Sequence, residues 1–219
     1  MEIAAPPFPR LYVIADRGIF QCDDSWLEKT REVAKHLCAH GQSALQVRIK
    51  DESKGSVSGR LKRAREALAP FMRQGLRVLA NTSLQQAAAL EFSGAHLSRR
   101  NTPQAPFDRS SLPAGFLLGA STHDAASLAH ASNIGVDFAV LSPVFSPGSK
   151  PGQGMGLEKF TAVIQTTSLP TLALGGVVPQ RVTSCLQAGA LGVAVVSSVM
   201  KALVHSSAID SFHTALESQ

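Results

Sequence analysis

The stretch LLGASTHDAASLAHASNIGVDFAVLSPVF, residues 117–145, contains one complete strand–helix–strand unit. Its two ends, LLGAST (117–122) and FAVLSPVF (138–145), are short apolar runs of the kind that form buried strands. Between them, Asp124 stands at the N-cap position of a helical pattern that ends at Gly135. Strands that alternate with helices in this way are typical of an α/β fold with a parallel sheet.

The same alternation extends along the chain in both directions. Six further apolar runs are predicted strands: LYVIAD (11–16), ALQVRIK (44–50), RVLANT (77–82), AHLS (95–98), PTLALGG (170–176) and GVAVVSS (192–198). Helical patterns are predicted at 24–40, with Asp24 as N-cap, and at 58–73, 83–92, 156–165, 179–189 and 199–217. The proline-rich segment 102–114 has the weakest helical pattern.

The number of strand–helix units selects among the α/β folds. Eight units predict a single (β/α)8 TIM barrel, one domain over residues 1–219 with its core at about 11–200. An open, doubly wound sheet is the alternative. The first strand is followed by ADRGIFQC, which lacks the GxGxxG pattern of dinucleotide-binding sheets, and this weakens the alternative.

The composition favours a cytoplasmic protein that binds small anions. The formal net charge is +5, but the basic residues are mostly dispersed, and one Trp and one Tyr provide no stacking platform for nucleic acid. The three cysteines lack the spacing of a metal or redox motif, as expected for reduced thiols. No secretory signal and no run long enough to span a bilayer is found, so no membrane partner is expected. A phosphorylated small molecule accounts best for the charge.

Polar residues at the strand ends are the candidate site, because the active site of a TIM barrel lies at the carboxyl ends of its strands. Gln46, Arg48 and Lys50 alternate along the second strand and share one face. The two cations favour an anion such as phosphate or pyrophosphate, although solvated side chains at the barrel rim are the alternative.

Two other strand ends add groups for substrate binding and proton transfer. Asn81 ends the third strand, and Ser121 and His123 end the fifth. The imidazole of His123 could act as a general acid or base, or it could only donate to backbone at the helix start.

The last three strand ends are rich in Gly, Pro and Ser. The sixth strand leads into SPVFSPGSKPGQGMG (142–156), a long loop in which Lys150 is a candidate anion ligand. Gly175 and Gly176 end the seventh strand, and Val196 and Ser197 end the eighth. These ends predict a phosphate site, since glycines let backbone N–H groups approach an anion and the following helix starts favour negative charge. A tight turn without a ligand is the alternative for the two glycines.

An ordered set of motifs resembles the thiamine phosphate synthase/TenI superfamily over about residues 11–200: LYVIAD, QVRIK, LAN, HL, GASTH, SPVFSPGSK, ALGGV and GVAVVSS. The resemblance implies a barrel that binds small thiazole phosphates. Synthases of this superfamily join a pyrimidine pyrophosphate to thiazole phosphate with the help of Mg²⁺. TenI-type thiazole tautomerases aromatise a thiazole carboxylate phosphate by proton transfer through a histidine.

The resemblance also implies roles for individual residues. Gln46, Arg48 and Lys50 match the pyrophosphate contacts of the synthases, and Asn81 matches the residue before their first metal-binding Asp. The thiazole-phosphate site matches Lys150, Gly175, Gly176, Val196 and Ser197. The tautomerase histidine aligns with His123, although synthases often carry a histidine there too.

The sequence departs from the synthases at the metal site. Thr82 and Asn101 replace their two Mg²⁺-binding aspartates, and Arg99 and Arg100 lie beside Asn101. Mg²⁺ usually needs one or two carboxylates, so the resemblance predicts no metal and no cofactor, with Mg²⁺ expected only in a synthase.

The resulting hypothesis is a TenI-like thiazole tautomerase whose only partner is its small-molecule substrate. A divergent thiamine phosphate synthase and a non-catalytic, regulatory thiazole-phosphate-binding barrel are the alternatives. Family members often associate, so a homodimer is possible.

Overall fold

The structure is a computed structural model that describes residues 8–50, 56–146 and 153–218. Within these ranges, eight parallel strands pair in sequence order, and β1 also pairs with β8, which closes a barrel. The predicted (β/α)8 TIM barrel is therefore confirmed. The strands are β1 (Leu11–Asp16), β2 (Ser43–Arg48), β3 (Arg77–Ala80), β4 (Gly94–Leu97), β5 (Leu117–Thr122), β6 (Phe138–Leu141), β7 (Thr171–Leu174) and β8 (Gly192–Val195).

The helices pack around this barrel. They are α1 (Asp23–Leu37), α2 (Val57–Arg73), α3 (Leu84–Ala89), α4 (Ala125–Asn133), α5 (Gly156–Ile164), α6 (Val182–Gln187), α7 (Ser197–Met200) and α8 (His205–Glu217). None of the helices in the described ranges is long and apolar enough to cross a membrane.

The alternation of side chains along each strand separates two cores. Leu11, Val13 and Ala15 of β1 belong to the larger core between the strands and the helices. Tyr12 and Ile14 belong to a smaller core inside the barrel. Because successive side chains of a strand point to opposite faces, every second residue after Tyr12 and Ile14 also points into the barrel, and the last of them lies at the carboxyl end of the strand.

The N-cap prediction for the first helix is wrong, whereas that for the fourth is confirmed. Cys22 precedes α1, and its Sγ accepts from the N–H of Ser25, while Asp24 lies inside the first turn and accepts from Arg63 at 2.8 Å. Asp124 caps α4 in a reciprocal pair of bonds with Ser127. The helix is thus capped two residues earlier than predicted, by a thiol, which is not among the preferred N-cap groups.

Two other helix predictions also differ from the structure. The segment 102–114 contains only a 3₁₀ turn at Arg109–Ser111, because its prolines interrupt any helix. The predicted helix at 199–217 is split into α7 and α8 by a connection in which Leu203 and Val204 are exposed.

The last helix carries a buried histidine that makes the stability of the fold depend on pH. The ring of His213 stacks on that of His40 with centroids 4.0 Å apart, and its Nε2 lies 3.0 Å from the hydroxyl of Ser43. The pKa of His213 is lowered to about 4, mainly by burial. The neighbouring His40 also lowers this pKa, and Asp210 raises it by a smaller amount.

We expect His213 alone to lower the free energy of unfolding by about 2 kcal/mol as the pH drops from 7 to 5. The folded-state pKa of His213 lies below the unfolded value, so the unfolded chain binds more protons between about pH 6.5 and pH 4. Urea denaturation across this range measures the slope. His213→Gln should make the slope less steep whatever its stability at pH 7, while the buried His96, whose pKa is lowered to about 3, keeps its own contribution. An unchanged slope would contradict the assignment.

Candidate active site at the barrel mouth

Gln46 and Arg48 of β2 lie on the face that points into the barrel, as predicted. Gln46 is only 1% exposed, and its Oε1 has no hydrogen-bond partner among the described residues. A buried carbonyl without a donor costs free energy, and such groups are normally paired by protein or ligand. The amide oxygen of Gln46 is therefore a candidate acceptor for an N–H or O–H group of a bound molecule.

Arg48 forms an ion pair that sequence reasoning missed. Asp16 and Arg48 end β1 and β2 in matching register, and the Arg48 guanidinium donates to the Asp16 carboxylate. Because a guanidinium carries five N–H groups, Arg48 keeps donors for an anion while Asp16 holds it in place. Lys50 follows β2 as an exposed residue.

A chain of hydrogen bonds connects the barrel interior to the end of β5. The hydroxyl of Tyr12 lies 3.3 Å from Nδ1 of His96, and Nε2 of His96 lies 2.9 Å from the hydroxyl of Ser121. Asn81 donates its side-chain N–H to the backbone carbonyl of His96 at 3.3 Å. Asn81 and Ser121 thus both contact His96, Asn81 at the backbone carbonyl and Ser121 at the buried imidazole.

His123 stands at the open end of β5 with its ring exposed. Nδ1 lies 2.8 Å from the backbone carbonyl oxygen of Ser142 and 3.4 Å from the hydroxyl of the same residue. The carbonyl is the nearer partner and can only accept, so Nδ1 carries the proton. In the neutral ring this leaves the lone pair on Nε2. The arrangement fixes one tautomer and presents a basic nitrogen, as a general base requires.

The two positions that the resemblance matches to metal-binding aspartates carry a neutral hydroxyl and a neutral amide in the structure. The hydroxyl of Thr82 bonds to Gln86 of α3, and Asn101 lies in an exposed turn beside Arg99 and Arg100. In residues 8–50, 56–146 and 153–218, no three His, Cys, Asp or Glu side chains could hold a metal ion together. A hydroxyl, an amide and two guanidinium groups are a poor donor set for Mg²⁺, which prefers carboxylate oxygens.

Four of the predicted phosphate residues, Gly175, Gly176, Val196 and Ser197, follow the neighbouring strands β7 and β8. The hydroxyl of Ser198 donates to the carbonyl of Val177 at 3.1 Å, which ties the two strand ends together. Ser197 begins α7, so its N–H has no partner within that helix. Val196 precedes it and packs beside the core inside the barrel. Lys150 falls outside the described residues.

Both glycines after β7 are required by packing as well. Gly175 and Gly176 have φ angles of +107° and +61°. A Cβ at Gly175 would lie 2.7 Å from Pro143, and one at Gly176 would lie 2.8 Å from the carbonyl of Ser146. The tight connection that was the alternative to a phosphate site is thus present, and the carbonyl of Gly176 accepts from Arg181 at 2.6 Å.

Tyr12, Asp16 and His96 belong to the described site but were not among the predicted site residues. Tyr12 lies within an apolar run, and Asp16 and His96 were strand-end residues without an assigned role. For Tyr12 and Asp16 the signal was the spacing, since residues 12, 14 and 16 of one strand share the face that points inward.

Comparisons with known proteins bear on the family and the fold of the chain. The sequence model of the family described as "Thiamine monophosphate synthase" matches residues 11–199. This chain belongs to the thiamine phosphate synthase/TenI superfamily. The predicted resemblance is confirmed at this level, and with it a place in thiamine biosynthesis; the TenI-like subtype stays a prediction.

Two curated relatives match this superfamily member over most of its length. One is the "Putative thiamine-phosphate synthase 2" of Aquifex aeolicus, 30% identical over 88% of this chain and 98% of the relative. Another is the "Thiamine-phosphate synthase" of Koribacter versatilis, 31% identical over 88% of this chain and 89% of the relative.

Solved structures share the barrel. The thiamine phosphate pyrophosphorylase of Pyrococcus furiosus superposes with a TM-score of 0.75 at 22% identity, covering 95% of this chain and 96% of the other. A 3-hexulose-6-phosphate synthase has a TM-score of 0.64 at 15% identity, covering 94% of this chain and 99% of the other. At these identities the likeness shows the fold alone.

Proposed function

We propose that the barrel mouth catalyses a proton transfer that aromatises a thiazole carboxylate phosphate, without a metal ion. The observation that carries this proposal is the bond from Nδ1 of His123 to the Ser142 carbonyl, which leaves Nε2 as the basic nitrogen. A ring held in one tautomer at the open end of a barrel strand is suited to move a proton on a bound substrate.

The reaction balances without a co-reactant. One C–H bond of the non-aromatic tautomer breaks, its electron pair moves into the ring system, and a new C–H bond forms at another carbon. His123 takes the first proton at Nε2 and returns a proton, so substrate and product have the same composition. The phosphate would be held by backbone at Gly176 and Ser197 and by Lys150, and the carboxylate by Arg48 or Lys50.

A divergent thiamine phosphate synthase is the second candidate, supported by one specific observation and by the names of the relatives. The unpaired Oε1 of Gln46 calls for a donor, which an aminopyrimidine has and a thiazole carboxylate phosphate lacks. Both curated relatives above are named as synthases. The donor set at Thr82 and Asn101 does not fit Mg²⁺, so no step of this reaction is assigned to a metal.

Two assays on the purified chain distinguish the candidates. With the non-aromatic thiazole carboxylate phosphate we expect catalysed formation of the aromatic ring, followed by ultraviolet absorbance and unchanged by EDTA. With an aminopyrimidine pyrophosphate, thiazole phosphate and Mg²⁺, we expect no release of pyrophosphate. Mg²⁺-dependent release would overturn the tautomerase, and saturable thiazole-phosphate binding without either turnover would establish a non-catalytic barrel.

A further inference from the structure

The buried hydrogen-bond chain from Tyr12 through His96 to Ser121 has a determined direction. Tyr12 is fully buried, and its O–H has His96 Nδ1 as its one recorded partner among the described residues. Burial raises the pKa of Tyr12 well above 10, so the phenol keeps its proton. A buried O–H needs an acceptor, and Nδ1 of His96 must therefore carry the lone pair.

The tautomer of His96 in turn determines whether the Ser121 hydroxyl donates or accepts. Burial, and to a smaller extent the charge of Arg48, lowers the pKa of His96 to about 3, so the ring is neutral at physiological pH. A neutral ring with an accepting Nδ1 has its proton on Nε2, which lies 2.9 Å from the Ser121 hydroxyl. Ser121 Oγ then accepts from His96, and its own O–H is left to donate elsewhere.

The surrounding residues keep the two rings in this geometry. Phe138 meets Tyr12 edge to face, with ring centroids 5.4 Å apart. Gly119 leaves the space that His96 occupies, since a Cβ there would lie 2.9 Å from Nδ1. The opposite tautomer would leave the Tyr12 O–H buried without an acceptor, which costs more than an ordinary hydrogen bond contributes.

We propose that Tyr12 and His96 are positioning residues that set the Ser121 hydroxyl as a hydrogen-bond donor towards an anionic oxygen of the ligand at the barrel mouth. The class of ligand, a phosphate or a carboxylate, rests on the proposed function, whereas the direction of the chain does not. Ser121 thereby complements Gln46, whose unpaired oxygen can only accept.

The tautomer of His96 tests the direction without any ligand. In ¹⁵N NMR spectra of the histidine-labelled chain, we expect a protonated Nε2 and an unprotonated Nδ1 for His96, unchanged from pH 8 to pH 5. Tyr12→Phe should abolish the preference for this single tautomer. Leu172→Val, a change in the same core inside the barrel, is the matched control and should retain it. A protonated Nδ1 in the wild-type chain would overturn the proposal.

A double-mutant cycle tests the action through Ser121, with inorganic pyrophosphate as the probe and calorimetry as the measurement. We expect Ser121→Ala and Tyr12→Phe each to weaken binding about fivefold, and the double variant to be no weaker than Ser121→Ala. His96→Gln, whose amide can accept from Tyr12 and donate to Ser121, should restore most of the affinity lost in His96→Leu.

Additive losses, or no binding of pyrophosphate by the wild-type chain, would overturn the positioning role. If the tautomer and the cycle are as expected but the chain aromatises no thiazole, the proposed function alone fails. If instead the protein aromatises the thiazole but the tautomer or the cycle differs from expectation, the tautomerase stands and the Tyr12–His96–Ser121 hydrogen bonds have no part in its mechanism.

Discussion

His123→Asn is expected to reduce the rate of aromatisation at least 100-fold while the protein stays folded and binds thiazole phosphate. The asparagine side-chain N–H takes the place of Nδ1 and can still donate to the Ser142 carbonyl, which accepts at 2.8 Å in the wild-type chain. What the substitution removes is the basic Nε2. Loss of a positioned general base typically costs about 10²–10⁴ in rate.

The measurement is kcat for ring formation, together with the affinity for thiazole phosphate by calorimetry. His130→Gln is the matched control, because His130 lies on α4 and its Nε2 contacts the Pro103 carbonyl at 2.8 Å, a contact that glutamine can keep. The control should have the wild-type rate. A kcat for His123→Asn within twofold of wild type would exclude His123 as the proton-transfer group and leave the tautomerase without its base.

Gly94→Ala is expected to have the largest effect on stability, more than about 4 kcal/mol. Gly94 begins β4 and pairs with Leu79 and Leu117. A Cβ at this position would overlap the backbone carbonyl of Leu117, so β4 and β5 could not keep their spacing. Because the strand pairs form one closed barrel, the displacement cannot be absorbed at a free edge.

Gly59→Ala is the matched control, with an effect of opposite sign. Gly59 is exposed in α2, and the nearest atom to an added Cβ is the Ser56 Cβ at 3.8 Å. Alanine in a helix is favoured over glycine by up to about 1 kcal/mol. Urea denaturation followed by the fluorescence of Trp26, the sole tryptophan and fully buried, measures both variants. A midpoint for Gly94→Ala close to that of the wild-type chain would show that the β4–β5 pairing is not tight.

The sequence was sufficient for the fold because helix and strand patterns are local. Apolar runs and their spacing predicted the eight strands that the structure contains, and Asp124 was found as a cap from its position alone. The errors lie where local preference is weak. A cysteine caps α1, prolines remove the helix at 102–114, and α7 and α8 are separate. The cap of α1 and the break between α7 and α8 depend on how the chain packs at an element end, whereas the prolines at 102–114 were visible in the sequence.

The site was predictable as a set of residues but not as a set of interactions. Gln46, Arg48, Asn81 and Ser121 follow from the rule that TIM-barrel sites lie at the strand ends. The alternation of strand residues could also have indicated Tyr12 and Asp16 as inward-facing. Nothing in the local sequence indicates that Asp16 neutralises part of the charge of Arg48, which lies 32 residues further along the chain.

The amino-acid sequence by itself determined the barrel, its strand ends and the neutral residues Thr82 and Asn101, because these depend on residue identity and on periods of two and 3.6. Only the tertiary structure decided which groups meet. The partners of Nδ1 in His96 and His123 lie 84 and 19 residues away in sequence. A histidine's tautomer depends on those partners. The nitrogen that carries the proton in each ring could therefore be assigned only from the folded barrel, in which the partners lie together.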